Sequence, residues 1–314
     1  MSPPGPPRFQ SAFGGLWTDL SNAHALVDGQ LALGLVDAGE AARLRHWIDR
    51  GFAILDRAVP EPLVDAVVAD LDGCLTGRLP ARTVEFWDER GKRFEAATPD
   101  RMQQQGSKLL DFYGASRHCL EMTFCPEILR FLHLIFQRPP LAFQSLTFVR
   151  GTGQPVHRDT AFVPVSSPLE MVACWIALED VAPGSGELEY YPGSHRMPEE
   201  LFEGGSKGVP EGISLGLDYS EALHRSARGA GLRLERFLPS KGDALFWAAD
   251  LIHGGSAGVR AGSTRRSHVT HYCPVDQEPL YLHHAPDPAR HATEHGGWIC
   301  QGPDPRTSSD PEAA

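Results

Sequence analysis

Apolar positions along the chain change their spacing near residue 140. Before it, the spacing is helical. Asp37 through Arg50 reads as a helix that Asp37 caps and Gly51 ends. Phe52-Ala53-Ile54-Leu55 follows as a short apolar strand. Pro60 and Pro62 open a second helix, in which Leu63, Val67 and Leu71 recur at i, i+4 and i+8. Pro126 to Phe136 is a third, with Ile128, Leu129, Leu132 and Ile135 on one side. From residue 141 onward, short β-rich runs alternate with Gly and Pro: Phe143–Val149, Met171–Leu178, Leu188–Tyr191, Ala244–Trp247 and His268–Tyr272. Many short strands with turn signals predict a sandwich or jelly roll.

The remaining stretches set the expected organisation. Residues 1–36 form an N-terminal arm, loosest over the Pro- and Gly-rich first 16. Residues 37–287 form one mainly β domain with flanking N-terminal helices. Within it, the polar residues 80–105 read as an exposed excursion, and 196–237, rich in Gly and poor in strand signals, as a lid-like insertion. The tail 288–314 is expected to be partly disordered.

Composition narrows the class. At 314 residues the chain can bury a large core. Its formal net charge of −11, with no basic run, argues against a nucleic-acid or anionic-membrane partner. The longest apolar run, Met171 to Leu178, is too short to span a bilayer, and the N-terminus lacks the pattern of a secretory signal. Six scattered cysteines without CxxC pairs read as reduced thiols of a cytoplasmic protein. The oligomeric state stays open.

The chemistry concentrates in Gln154-Pro155-Val156-His157-Arg158-Asp159-Thr160. In an extended chain, residues i and i+2 share a face, so His157 and Asp159 can offer an imidazole and a carboxylate to one ion. His253, at the end of the apolar run Ala244 to Ile252 and beside Gly254 and Gly255, supplies a second imidazole. Two His and a carboxylate on one face of an ion form the facial triad of non-haem Fe(II) oxygenases. Zinc hydrolases use the same ligand set, so ligands alone do not select the metal. Downstream lies Ser263-Thr264-Arg265-Arg266-Ser267-His268-Val269-Thr270-His271-Tyr272. An inward Arg on a core strand is costly unless it meets an anion, and a guanidinium grips a carboxylate bidentately. A dicarboxylate chelating the metal at one end would place its other carboxylate there. Alternation puts Arg265 or Arg266 inward, depending on register. His268, His271, His283 and His284 read as packing or surface residues, although His271 can line the pocket, and His195 reads as structural.

Together these segments resemble the phytanoyl-CoA dioxygenase (PhyH) family over roughly residues 45 to 280. The resemblance rests on Gly51-Phe52-Ala53-Ile54-Leu55, Phe124-Cys125-Pro126-Glu127-Ile128-Leu129, His157-Arg158-Asp159, Cys174-Trp175-Ile176-Ala177-Leu178-Glu179-Asp180, Gly186-Glu187-Leu188, Tyr191-Pro192-Gly193-Ser194-His195-Arg196 and Leu251-Ile252-His253-Gly254. It implies a cupin-like double-stranded β-helix (jelly roll) with Fe(II) at His157, Asp159 and His253. It implies 2-oxoglutarate chelating the iron and held by Arg265, with Lys108, Trp175 and Gln144 as further contacts, and O2 as oxidant. The implied reaction hydroxylates an unactivated C–H bond, with desaturation or ring formation as variants, while 2-oxoglutarate becomes succinate and CO2; the acidic chain without a basic patch favours a small metabolite or natural-product intermediate as substrate over a bulky polyphosphate. The carboxylate at Asp159, where related halogenases carry a small residue, points away from halogenation. Gly255 departs from the family, whose members often carry Ser there. The competing classes are a cupin-like metal-dependent hydrolase or isomerase, and a non-catalytic ligand-binding barrel.

Overall fold

The computed structural model describes residues 7–80, 82–89, 91–210, 215–280 and 289–300. Its helices are α1 (Ala23–Ala32), α2 (Ala38–Arg50), α3 (Glu61–Leu75), α4 (Pro99–Met102), α5 (Arg117–Thr123), α6 (Pro126–Phe136) and α7 (Leu217–Gly229). Its strands are β1 (Phe52–Leu55), β2 (Thr83–Asp88), β3 (Gly91–Ala96), β4 (Lys108–Leu110), β5 (Pro140–Phe148), β6 (Val172–Ala177), β7 (Leu188–Tyr190), β8 (Glu235–Phe237), β9 (Ala244–Ala248), β10 (His253–Gly255), β11 (Ser267–Pro274), β12 (His291–Ala292) and β13 (Trp298–Ile299).

The major sheet runs β1-β9-β6-β11-β5-β4-β2-β3, and the minor sheet β10-β7-β8. One face of the major sheet packs on the helices through Leu44, Val67, Ile128, Phe131, Cys174, Phe246 and Tyr272. The other face meets the minor sheet through Phe143, Trp175, Leu188, Tyr190, Phe237, Leu245 and Val269. This is the double-stranded β-helix expected from the sequence, open rather than closed into a barrel, and mainly antiparallel.

The capping chemistry of α2 explains why its limits were readable. Asp37 accepts a hydrogen bond from the Glu40 N–H at 2.7 Å, and the Glu40 carboxylate accepts from the Asp37 N–H at 3.0 Å. Gly51 ends the helix at φ 75°.

Four stretches contain regular structure that the sequence did not announce. In the N-terminal arm, α1 folds and buries Ala23 and Val27. The polar excursion 80–105 contains the β2–β3 hairpin, joined to the major sheet where Val84 pairs with Leu109. The insertion 196–237 contains α7, which buries Ser220, Leu223 and Ala227 at helical spacing, and then β8. In the tail, β13 pairs parallel with β5, Trp298 opposite Leu141. His283, His284 and the end of the tail lie outside the described residues. All six cysteines are buried and free. Among the described residues no helix is long and apolar enough to cross a membrane.

Candidate active site

The candidate metal-ligating segment runs from His157, which bridges to β10, into a single 3-10 turn, Asp159–Ala161. His157 and His253 form an antiparallel bridge: the His157 N–H donates to the His253 carbonyl at 2.8 Å, and the His253 N–H to the His157 carbonyl at 3.0 Å. The approach is close enough to require Gly254, since a Cβ there would lie 2.8 Å from the Gln154 carbonyl oxygen and 3.0 Å from Val156 Cα. At Gly255 a Cβ would lie 2.7 Å from Thr152 Oγ1. That hydroxyl stands in the space a Ser at 255 would enter, which accounts for the departure from the family pattern.

Each imidazole is tied through Nδ1 to a carbonyl two residues back, His157 to Pro155 and His253 to Leu251, both at 2.9 Å. A carbonyl only accepts, so Nδ1 carries the proton and Nε2 presents its lone pair. Both Nε2 atoms lie 3.6 Å from Asp159 Oδ1. Two bonds of about 2.1 Å to a shared ion span at most about 4.2 Å, so each pair can close on one ion. Among the described residues these three side chains alone form a group of metal-ligating type, with ligand atoms within 4.8 Å of one another.

The second oxygen of Asp159 is held from behind. Oδ2 accepts from the Trp247 indole N–H at 2.7 Å and lies 3.5 Å from His271 Nε2. Burial alone would raise the Asp159 carboxyl, but His253, His157 and His271 together overcome it and hold the group well below the usual carboxylate range. Burial, with help from His157 and against the pull of Asp159, pushes His253 down to about 4, so its ring is neutral and free to coordinate at neutral pH.

The register of β11 resolves the choice between the two arginines. Arg265 points inward and is 3 % exposed. Its Nη1 donates to Ser267 Oγ at 2.8 Å, and its guanidinium carbon sits 5.6 Å and 5.4 Å from the Phe148 and Trp175 ring centres. Its Nε has no partner among the described residues. Burial pulls its pKa to about 10 against the opposing pull of Glu179 and Glu187. Among the described residues no carboxylate reaches ion-pair distance of it. Arg266 points the other way, 3.5 Å from Asp72 at the surface.

The other expected contacts divide. Trp175 is buried opposite Val269 and beneath Arg265. Gln144 pairs with His271 across β5 and β11, next to a register shift between His271 and Tyr272. Gln144 Oε1 and His271 Nδ1 are both buried without partners among the described residues. Lys108, expected as a second cation, has its ammonium 3.2 Å from Glu85, whose carboxylate, despite its burial, Lys108 and Lys92 keep below the usual range. His195 lies away from the triad, with Nε2 3.2 Å from the Ile48 carbonyl. Sequence reasoning missed the hold of Trp247 on Asp159 and gave His271 no role beyond lining the pocket. The signal for His271 was its place on the same alternating face as Arg265.

Comparisons with known proteins agree with this geometry. The fold matches the α-ketoglutarate-dependent carbocyclase SnoK from nogalamycin biosynthesis with a TM-score of 0.60 at 18% identity, covering 82% of this chain and 95% of that one. It matches the epimerase SnoN in complex with Fe3+, α-ketoglutarate and nogalamycin RO at 0.59 and 16%, covering 83% and 98%. It matches EctD from S. alaskensis with 2-oxoglutarate and 5-hydroxyectoine at 0.56 and 16%, covering 85% and 88%. No curated protein matches the sequence. The phytanoyl-CoA dioxygenase (PhyH) profile matches residues 47–267, more than half of the chain, and the chain belongs to that family.

Proposed function

We propose that the protein is a non-haem Fe(II)/2-oxoglutarate-dependent dioxygenase that hydroxylates an unactivated C–H bond of a small metabolite or natural-product intermediate in the cytoplasm. The observation that carries this reading is Arg265, a buried guanidinium without a counter-ion among the described residues, on the same alternating face as His271, whose strand partner Gln144 also has an unsatisfied polar atom. Buried charge without a partner is costly, and a ligand carboxylate supplies the missing partner.

The donor set fits Fe(II): two imidazole Nε2 atoms and one carboxylate on one face would leave the opposite positions for co-substrate and O2. When bound, iron with 2-oxoglutarate and O2 supplies the oxidising power, and succinate and CO2 are the co-products. The chain's own residues position and insulate. Asp159 offers Oδ1 to the ion because Trp247 and His271 hold Oδ2. Arg265 would grip the far carboxylate of 2-oxoglutarate, the Gln144 side-chain amide N–H would donate to the co-substrate, and Phe148 and Trp175 would keep water from the ion pair. Phe162, 43 % exposed and with its ring 5.6 Å from that of His157, marks the side from which substrate approaches.

The structural relatives include an epimerase and a carbocyclase, so the fate of the substrate after hydrogen removal is set by what sits beside the metal. Hydroxylation is the simplest outcome. The reaction is tested with Fe(II), 2-oxoglutarate and isotopically labelled O2 across a panel of small metabolites. Succinate formed in step with a product that gains one labelled oxygen supports the reading. Turnover of a substrate with Zn(II) and no need for 2-oxoglutarate would replace it with the hydrolase or isomerase class.

A further inference from the structure

The segment that binds metal alternates. His157 and Asp159 face the ion, while Arg158 and Thr160, on the opposite side of the chain, converge on a single carboxylate, Asp250. Thr160 Oγ1 donates to Asp250 Oδ1 at 2.6 Å, and Arg158 Nη1 lies 3.4 Å from Asp250 Oδ2. Asp250 stands three residues before His253, at the other end of the ligand set. A third segment joins from the insertion: Lys207 Nζ donates to Asp250 Oδ2 at 2.5 Å and lies 3.5 Å from Glu199. Arg158, Thr160, Lys207 and Asp250 are all buried. The N-terminal arm closes over them, with Phe13 5.6 Å from the Lys207 ammonium and Ser11 Oγ donating to Glu199.

We propose that Asp250 is a positioning residue that locks the two ligand-bearing segments to each other behind the metal, and that Lys207 is the counter-charge through which the insertion completes this lock. The proposal rests on the Fe(II) reading above. Its physical basis is that a buried carboxylate with three donors from two other segments has one satisfactory arrangement, whereas each segment alone has many. Arg158 and Thr160 each neighbour a ligand directly, so a shift in either re-aims an imidazole or a carboxylate. The backbone repeats the connection, since the Thr160 N–H donates to the Ala249 carbonyl at 3.4 Å and the Val209 N–H of the insertion to the Ala161 carbonyl at 3.0 Å. With Lys207 removed, Asp250 keeps one long contact to Arg158 and one hydroxyl, and the ligand segments loosen against each other.

The test measures Fe(II) affinity of the full chain by anaerobic equilibrium dialysis, beside the melting temperature of the metal-free protein. Wild type is compared with Lys207→Met, Lys207→Arg, Thr160→Val and Asp250→Ala. Arg225→Ala is the control, because Arg225 sits in the same insertion but pairs with Glu221 at the surface. The expected result is a fall of roughly 10- to 100-fold in Fe(II) affinity for Lys207→Met, the range for residues that orient metal ligands. Lys207→Arg restores most of it, Thr160→Val loses less, and Arg225→Ala is unchanged. Asp250→Ala is expected to be the most severe; if it fails to fold, Lys207→Met and Thr160→Val decide the matter. A folded Lys207→Met that melts earlier yet binds Fe(II) as wild type does would overturn the proposal, since the cluster would then only stabilise the fold. Wild type that binds no Fe(II) at all overturns the functional reading and this proposal with it.

Discussion

On the helix-facing side of β11, His268 is enclosed by Thr147 Oγ1 at 2.8 Å and Thr270 Oγ1 at 3.1 Å, with Cys119 Sγ nearby. Burial pushes its ring down to about 3, and both ring nitrogens have partners. Three residues on, His271 faces the space between the sheets. Its Nε2 lies 3.5 Å from Asp159, and its Nδ1 has no partner among the described residues. Arg265 and Gln144 share that face and also carry unsatisfied atoms. Both sides of the strand are equally buried, so burial does not separate structure from function here. Unused hydrogen-bonding capacity does, because an interior leaves polar groups unpaired only at a cost.

Breaking the functional face at the metal itself has the largest expected effect. His157→Ala or Asp159→Ala removes a ligand, and Fe(II) affinity should fall by more than the ~100-fold typical of losing an outer partner. Equilibrium dialysis checks this, and the fold should survive by circular dichroism.

The arginine pair sharpens the comparison next. Arg265→Lys keeps the charge but loses the fork, and breaking a buried, hydrogen-bonded charge pair costs about 2–5 kcal/mol. Calorimetry should show 2-oxoglutarate binding to the Fe(II) protein weakened by roughly 30-fold or more. Arg266→Ala, at the surface beside Asp72, should change it by less than about 1 kcal/mol.

The two histidines then separate the faces directly. His271→Ala should weaken Fe(II) binding about 10-fold by leaving Trp247 alone to hold Asp159 Oδ2. His268→Ala should leave Fe(II) binding alone and cost about 1–3 kcal/mol of stability, read from denaturant unfolding, because Thr147 and Thr270 lose their partner.

Acid gives the smallest, distributed effect. His253 and His195 are each held at about 4 and His268 at about 3, all by burial first. The unfolded chain therefore binds more protons than the folded one below the usual imidazole value of about 6.5. Their contribution to stability is complete above that value and is lost as pH falls toward 4. Each group contributes up to about 1.4 kcal/mol per pH unit in that window. The melting temperature of the metal-free protein should drop across it, and His268→Phe should flatten the drop without moving Fe(II) affinity measured at neutral pH.

Much of this was legible in the sequence where local chemistry decides structure. The reciprocal cap of Asp37 and Glu40, the Pro-led start of α6 and the apolar runs of β6 and β9 announce themselves within a few residues. The triad was legible because HxD on an extended segment and a His beside two glycines are both short-range patterns. What was missed depends on distant partners. The β2–β3 hairpin carries Glu85, Lys92, Arg93 and Glu95, and its polar texture hides a sheet extension that only β4 reveals. Helix α7 buries a stripe too short to stand out among the surrounding glycines. Lys108 reads as a free cation until Glu85 is placed against it. The role of His271 follows from register: it shares the inward side with Arg265, and the irregularity in β5 sets Gln144 across from it.

The central claim is that the unsatisfied face of β11 is the seat of 2-oxoglutarate beside iron. It is tested most directly by adding Fe(II) and 2-oxoglutarate anaerobically to metal-free protein and following the visible charge-transfer band. The account predicts a band in wild type, none in His157→Ala, and one in Arg265→Ala that appears only at much higher 2-oxoglutarate. No band in folded, iron-loaded wild type would contradict it.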